Sequence, residues 1–164
     1  MQHATLTEQA RHWATSQPEQ VWMRDLTESG PTDYTWGSAV AEIDRVAAWL
    51  EVKFGHGERM ALLSKNRAHW IMADMGIIHS GNIAVPLFTT HAQATAEYIL
   101  SFTDTKVLFL GETENWHSVK EVLPEGCVLI TLPGVDCDLP HTKWGDLVAA
   151  APTEAPSYKP GPDD

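Results

Sequence analysis

Arg59-Met60-Ala61-Leu62-Leu63-Ser64-Lys65-Asn66-Arg67 opens the stretch that decides the fold, and Ala68 to Pro86 completes it. Met60-Ala61-Leu62-Leu63 is a short apolar run with no polar alternation, the pattern of a strand covered on both faces. Asn66 can cap a helix running to about His79, and Gly81 stops it. Ile83-Ala84-Val85 reads as the next strand, ended by Pro86. Outward from there the alternation continues. Ala92 to Phe102 is helical in pattern, Val107-Leu108-Phe109-Leu110 a strand, Asn115 to Leu123 helical, and Val128-Leu129-Ile130 a strand. Repeated strand–helix–strand units imply an α/β fold: an open, mostly parallel sheet with helices on both faces.

Upstream, Thr5 to Ser16 reads as an amphipathic helix with Thr5 or Thr7 as cap and Pro18 as stop. Gln20 to Asp25 is a strand, Glu28 to Asp33 a turn cluster, and Tyr34-Thr35-Trp36 a short returning strand. Thr35 then caps a helix whose Val40, Ile43, Ala47, Leu50 and Phe54 share one face before Gly55 ends it. Downstream, Trp144 to Ala151 is a last short helix. Residues 151–164 carry four prolines and read as a stiff linker, so residues 1–150 are expected to form one α/β unit with the linker leading out of it.

The 164 residues hold 11 basic and 22 acidic side chains, a net charge of −11. That balance excludes a nucleic-acid binder, which needs a basic patch, and a polybasic membrane anchor. No apolar run approaches the ~20 residues of a spanning helix, and Met1-Gln2-His3-Ala4-Thr5 lacks the build of a signal peptide. Cys127 and Cys137 suit neither a zinc site nor a disulfide framework and read as reduced thiols. The expectation is a soluble, cytoplasmic protein.

The layering is Rossmann-like without the dinucleotide fingerprint. No Gly-x-Gly-x-x-Gly follows a strand, no Gly-x-x-x-x-Gly-Lys-Ser/Thr loop occurs, and the first core turn, Ser64-Lys65-Asn66-Arg67, has no glycine. There is no Gly-x-Ser-x-Gly elbow, and no two of the eight histidines stand three or four apart. No metal site and no complete catalytic constellation are read. Trp70 and Thr89-Thr90-His91 lie just after strand ends, where open α/β sheets bind ligands. Asn66, Trp70, Thr90 and His91 are therefore the substrate-rim candidates. Core packing for Trp70 and helix capping for Thr90 are the competing readings.

Tyr34-Thr35-Trp36, Gly57-Glu58-Arg59-Met60-Ala61, Ser64-x-Asn66-Arg67-x-x-Trp70, Gly81-x-x-Ala84-Val85-Pro86-Leu87-Phe88-x-Thr90, Tyr98-Ile99-Leu100 and Asp104-x-Lys106-Val107 occur in that order. Together they resemble the N-terminal part of the adenylate-forming (AMP-binding) superfamily, nearest its long-chain fatty acyl-CoA synthetases. Glu58, Asn82-Ile83 and Phe88 depart from the usual aspartate, small-residue–valine pair and tyrosine. The resemblance implies a two-step ligase. A carboxylic acid and ATP give acyl-AMP and pyrophosphate, with Mg2+; CoA then displaces AMP. It also implies that the phosphate loop begins just after a stretch like Pro162-Asp163-Asp164. The chain alone is then expected to be inactive and to bind none of ATP, Mg2+ or CoA tightly. The parent ligase would be cytoplasmic or peripheral to a membrane. An apolar face left bare would drive homodimer formation. The alternative is a non-catalytic α/β module that binds an acyl chain or a protein.

Overall fold

The computed structural model describes residues 5–27, 30–111 and 114–161. The apolar run becomes β3 (Arg59–Leu63), set inside an open five-stranded sheet with β4 (Ile83–Leu87), β5 (Val107–Leu110), β6 (Val128–Thr131) and β7 (Thr142–Lys143). The order is β4-β3-β5-β6-β7, and every pairing is parallel. Met60, Leu62, Val107, Phe109 and Ile130 project to one side, in a core with α2 (Trp36–Phe54), α3 (Ala68–His79) and α6 (Trp144–Ala150). Ala61, Leu63, Leu108, Leu110 and Leu129 project to the other, with α4 (Gln93–Phe102) and α5 (Trp116–Lys120). Two buried faces leave no position for a polar alternation. Helix α2 lies directly on α3 because position 76 is glycine: a Cβ there would stand 2.9 Å from Val46 Cγ1.

Helix α1 (Leu6–Ser16) starts at a capping box between Thr5 and Glu8, and α2 at one between Thr35 and Ser38. Between them β1 (Val21–Thr27) and β2 (Gly30–Thr35) form a separate antiparallel hairpin. Residues 30–33, expected as turn, are strand. Asp33 there holds Arg24 across the hairpin, and Glu28 and Ser29 lie outside the described residues.

Three further expectations are corrected. Asn66 does not cap α3. The first turn is capped from the hairpin, where Asp25 Oδ1 accepts from the Ala68 N–H at 2.8 Å. Pro86 does not end β4 but sits inside it, opposite Leu62. The Ile83 N–H bonds inward to Glu58 O, so alternation turns position 86 toward the open edge, where a missing N–H breaks no ladder bond. Thr90 makes no cap bond; the N-cap of α4 is Ala92.

The proline-rich segment is docked over its described part. Both N–H and hydroxyl of Ser157 bond the Glu51 carboxylate. The Tyr158 ring lies over Gly81 and beside His56, 5.1 Å between ring centres. Gly81 has φ +72°, and a Cβ there would come within 2.8 Å of the tyrosine ring.

Candidate functional site

The strand order reverses at β3: the chain steps outward to β4, then returns past β3 to β5. The carboxyl ends of β3 and β5 flank this switch point, the usual ligand crevice of such sheets. Here the crevice holds a space of about 590 Å³, lined by Lys65, Asn66, Arg67, Gly111, Pro133 and the end of β1, over a tightly packed floor. Ser64 is seated on Gly111, where a Cβ would stand 2.6 Å from Ser64 Cβ and 2.7 Å from Leu132 Cδ1. The Ser64 hydroxyl donates to Lys65 O at 2.8 Å, and Arg67 crosses to Pro133 O at 2.6 Å. Among the described residues no three His, Cys, Asp or Glu side chains are placed to hold a metal ion. With no such set for magnesium among the described residues, no step through ATP phosphates or the metal is assigned to them.

Ligand-sized space also opens on both sides of that crevice. The first is a groove of about 520 Å³ between the ends of β3 and β4, with Asn66 and Trp70 on one wall and Pro86, Phe88 and Thr89 on the other. The sequence-named Asn66 and Trp70 thus come together. Thr89 rather than Thr90 completes the groove; Thr90 is exposed. His91 stands edge-on to Phe88 at 5.2 Å, its carbonyl held by Asn115 Nδ2 at 2.7 Å. Its Nδ1 is buried with no hydrogen-bond partner.

The second space, about 650 Å³, lies at the carboxyl end of β6 and was not legible as a site. Tyr34 from the hairpin, Glu42 from α2, His69 from α3, Thr131 at the end of β6 and Trp144 from α6 converge on it. His69 is 4% exposed and takes the edge-to-face contacts of Tyr34 and Trp144, each at 5.2 Å. Trp144 Nε1 donates to Glu42 Oε2 at 2.7 Å, and His69 Nε2 faces the same oxygen across 3.8 Å. Burial, helped by the Arg67 charge, pushes His69 down to about 4, so the ring is neutral near pH 7. Burial also raises the Tyr34 phenol, with Asp25 adding to the shift. His69 Nδ1 and Thr131 Oγ1 are buried without hydrogen-bond partners, two polar atoms that a bound polar group could satisfy. The one sequence signal for this corner is α3 itself, apolar nearly all round yet carrying a histidine in its first turn.

Comparison with known proteins places the chain in context. A family model described as AMP-binding enzyme matches residues 10–164. The long-chain-fatty-acid–CoA ligase FadD15 of Mycobacterium bovis is 29% identical over 100 residues, which cover 60% of this chain and 16% of that protein. Among solved structures, a benzoate CoA ligase from Burkholderia xenovorans superposes on 98% of the chain with TM-score 0.75 and 20% identity, over 30% of its own length. Acetoacetyl-CoA synthetase from Streptomyces lividans does so on 94%, with TM-score 0.79 and 17% identity, over 26% of its length. At such identities the structural likeness speaks for the fold alone. The chain spans 9–20% of the length of the curated relatives it matches.

Proposed function

This chain belongs to the AMP-binding enzyme family, and on that premise we propose that it is the N-terminal α/β unit of an ATP-dependent long-chain fatty acid–CoA ligase. Residues 1–150 form the unit, and residues 151–164 lead toward the rest of the enzyme. The observation that carries the reading is the family match from residue 10 to residue 164. FadD15, named for long-chain fatty acids, supports the substrate class. In the parent the reaction is acid plus ATP to acyl-AMP and pyrophosphate with Mg2+, then acyl-CoA and AMP. The part of Asn66, Trp70, Thr90 and His91 is to flank the path of the carboxylic acid beside the β3–β4 groove.

The experiment is an assay of AMP formation by the protein encoded by the whole reading frame, with CoA and palmitate, benzoate or acetoacetate in turn. Palmitate is expected to give the highest kcat/KM. A preference for benzoate or acetoacetate overturns the chain-length assignment, and no acid-dependent AMP with any of the three overturns the ligase reading. The 164 residues alone are expected to release no pyrophosphate. Exposed Tyr98 and Phe102, stacked 5.6 Å apart on α4, support self-association of the isolated chain, read as a concentration-dependent sedimentation coefficient.

The 650 Å³ cleft favours a second reading, a binding module without chemistry. Saturable binding of a palmitoyl chain to the 164 residues, with no AMP formed by the whole reading frame, would select it.

A further inference from the structure

At the edge of the cleft, whose lining includes Asp136, sits a cluster of nucleophilic and basic side chains that the proposed function does not use. It lies in the loop from Asp136 to His141, between β6 and β7. Cys137 Sγ is 3.4 Å from His141 Nδ1, and His141 Nε2 is 3.3 Å from Asp136 Oδ1. The same carboxylate oxygen accepts from the Cys137 N–H at 3.1 Å. Nucleophile, base and a carboxylate orienting the base are thus in reach of one another, the arrangement that activates a thiol.

The loop is held in place from both ends. Asp138, between the thiol and the imidazole in sequence, accepts from Trp116 Nε1 at 2.9 Å and pairs with Lys120 Nζ at 2.5 Å, both on α5. His141 leads directly into β7, and its Nδ1 also meets Leu139 O at 2.8 Å. All of these contacts are satisfied at once only after the thiol proton has passed to the ring: Nε2–H then faces Asp136, and Nδ1–H serves both the Leu139 carbonyl and the sulfur left behind.

We propose that Cys137 is a nucleophilic modification site that exchanges with small disulfides, with His141 as its base and Asp136 orienting that base. The Cys137 S–H proton moves to His141 Nδ1, and the thiolate attacks one sulfur of the disulfide. A new S–S bond forms as the old one breaks, and the departing sulfur leaves as a thiolate that recovers the proton. One thiol and one disulfide become one mixed disulfide and one thiol, with no other reactant.

Cys127 provides the control within the same chain. Its sulfur has no base beside it, only Val128 O at 4.0 Å, and burial pushes its thiol up to about 11 against a smaller pull from Lys106. The inference is independent of the ligase reading, because it rests on this loop alone.

The test is stopped-flow reaction of the whole 164-residue chain with Ellman's reagent, with each modified cysteine assigned by mass spectrometry. Two phases are expected. The fast one is absent in Cys137→Ser and kept in Cys127→Ser, and it is tenfold or more slower in His141→Gln, in line with the roughly 100-fold scale of general-base effects. Asp136→Asn is expected to slow it less. The slow phase, from Cys127, stays unchanged in the His141 and Asp136 variants and reports that the fold is intact. A fast phase carried by Cys127, equal rates for the two thiols, or a Cys137 rate indifferent to His141→Gln overturns the proposal.

Discussion

The groove between β3 and β4 and the cleft around His69 lie on the same rim of one sheet, yet they are assembled in opposite ways. The groove is local: Ser64 to Trp70 follow β3 directly, and Pro86 to Thr89 are the end of β4 and the two residues after it. The cleft draws on five separated segments, and its ties are long. Asp25 caps α3 across 43 positions, Arg67 reaches Pro133 across 66, and Trp144 reaches Glu42 across 102. A wall built from one strand–turn–helix unit survives the loss of a side chain better than a wall built from ties between units. That difference can be broken by measurement.

The largest contrast is between two tryptophans. Trp144 is 2% exposed, with its indole N–H bonded, whereas Trp70 is only half-buried. Trp144→Ala is expected to lower unfolding free energy by about 3–5 kcal/mol, and Trp70→Ala by about 1–2 kcal/mol, since less surface is returned to water. Urea titration reads both. Equal losses would erase the distinction between the regions.

Next in size is pH. His69 is held near 4 against an ordinary value of 6.5, so the unfolded chain binds a proton between those limits that the folded chain does not. Its contribution to stability is full above pH 6.5 and is lost as pH falls toward 4, a change on the order of 3 kcal/mol. Asp74, raised by burial, works with the opposite sign just above its ordinary 3.8. The informative quantity is therefore the difference between the wild-type and His69→Gln stability curves, and parallel curves would deny that the cleft buries a neutral imidazole.

A smaller effect separates two residues that compete for one role. Asp25→Ala removes the bond to the Ala68 N–H and is expected to cost about 1 kcal/mol, whereas Asn66→Ala is expected to cost under about 0.5 kcal/mol. Thermal unfolding of the two variants side by side decides it. Smallest is Ser157→Ala, where loss of an exposed hydroxyl bond to Glu51 should cost about 0.5 kcal/mol and raise proteolytic nicking of the tail.

These contrasts also mark what was legible in the sequence. The sheet was readable because unbroken runs such as Met60–Leu63 and Val107–Leu110 fit only strands buried on both sides. Helix α2 was readable because its cap and stop, Thr35 and Gly55, lie within its own sequence. Asn66 looked like a cap by the same local logic, but the α3 cap arrives from a hairpin that no local pattern can place. Pro86 looked like a stop because a single chain does not reveal that β4 is an edge strand. The proline-rich segment was read as a stiff linker because its partners, Glu51, His56 and Gly81, lie far earlier in the chain, beyond the reach of any local pattern. Asn66 and Trp70, named as rim candidates, both line the groove; the convergence of Tyr34, His69 and Trp144 had no signature short of the fold itself.

The first turn of α3 has one more consequence. His69 and Trp70 are consecutive, and one lines the cleft while the other lines the groove, so a single helical turn is the partition between two chambers. Asp25 pins that partition from the hairpin side. A guest that displaces the turn widens its own chamber by encroaching on the other. Reciprocity then requires the second guest to weaken the first by the same factor, which makes this turn a balance beam between two occupancies.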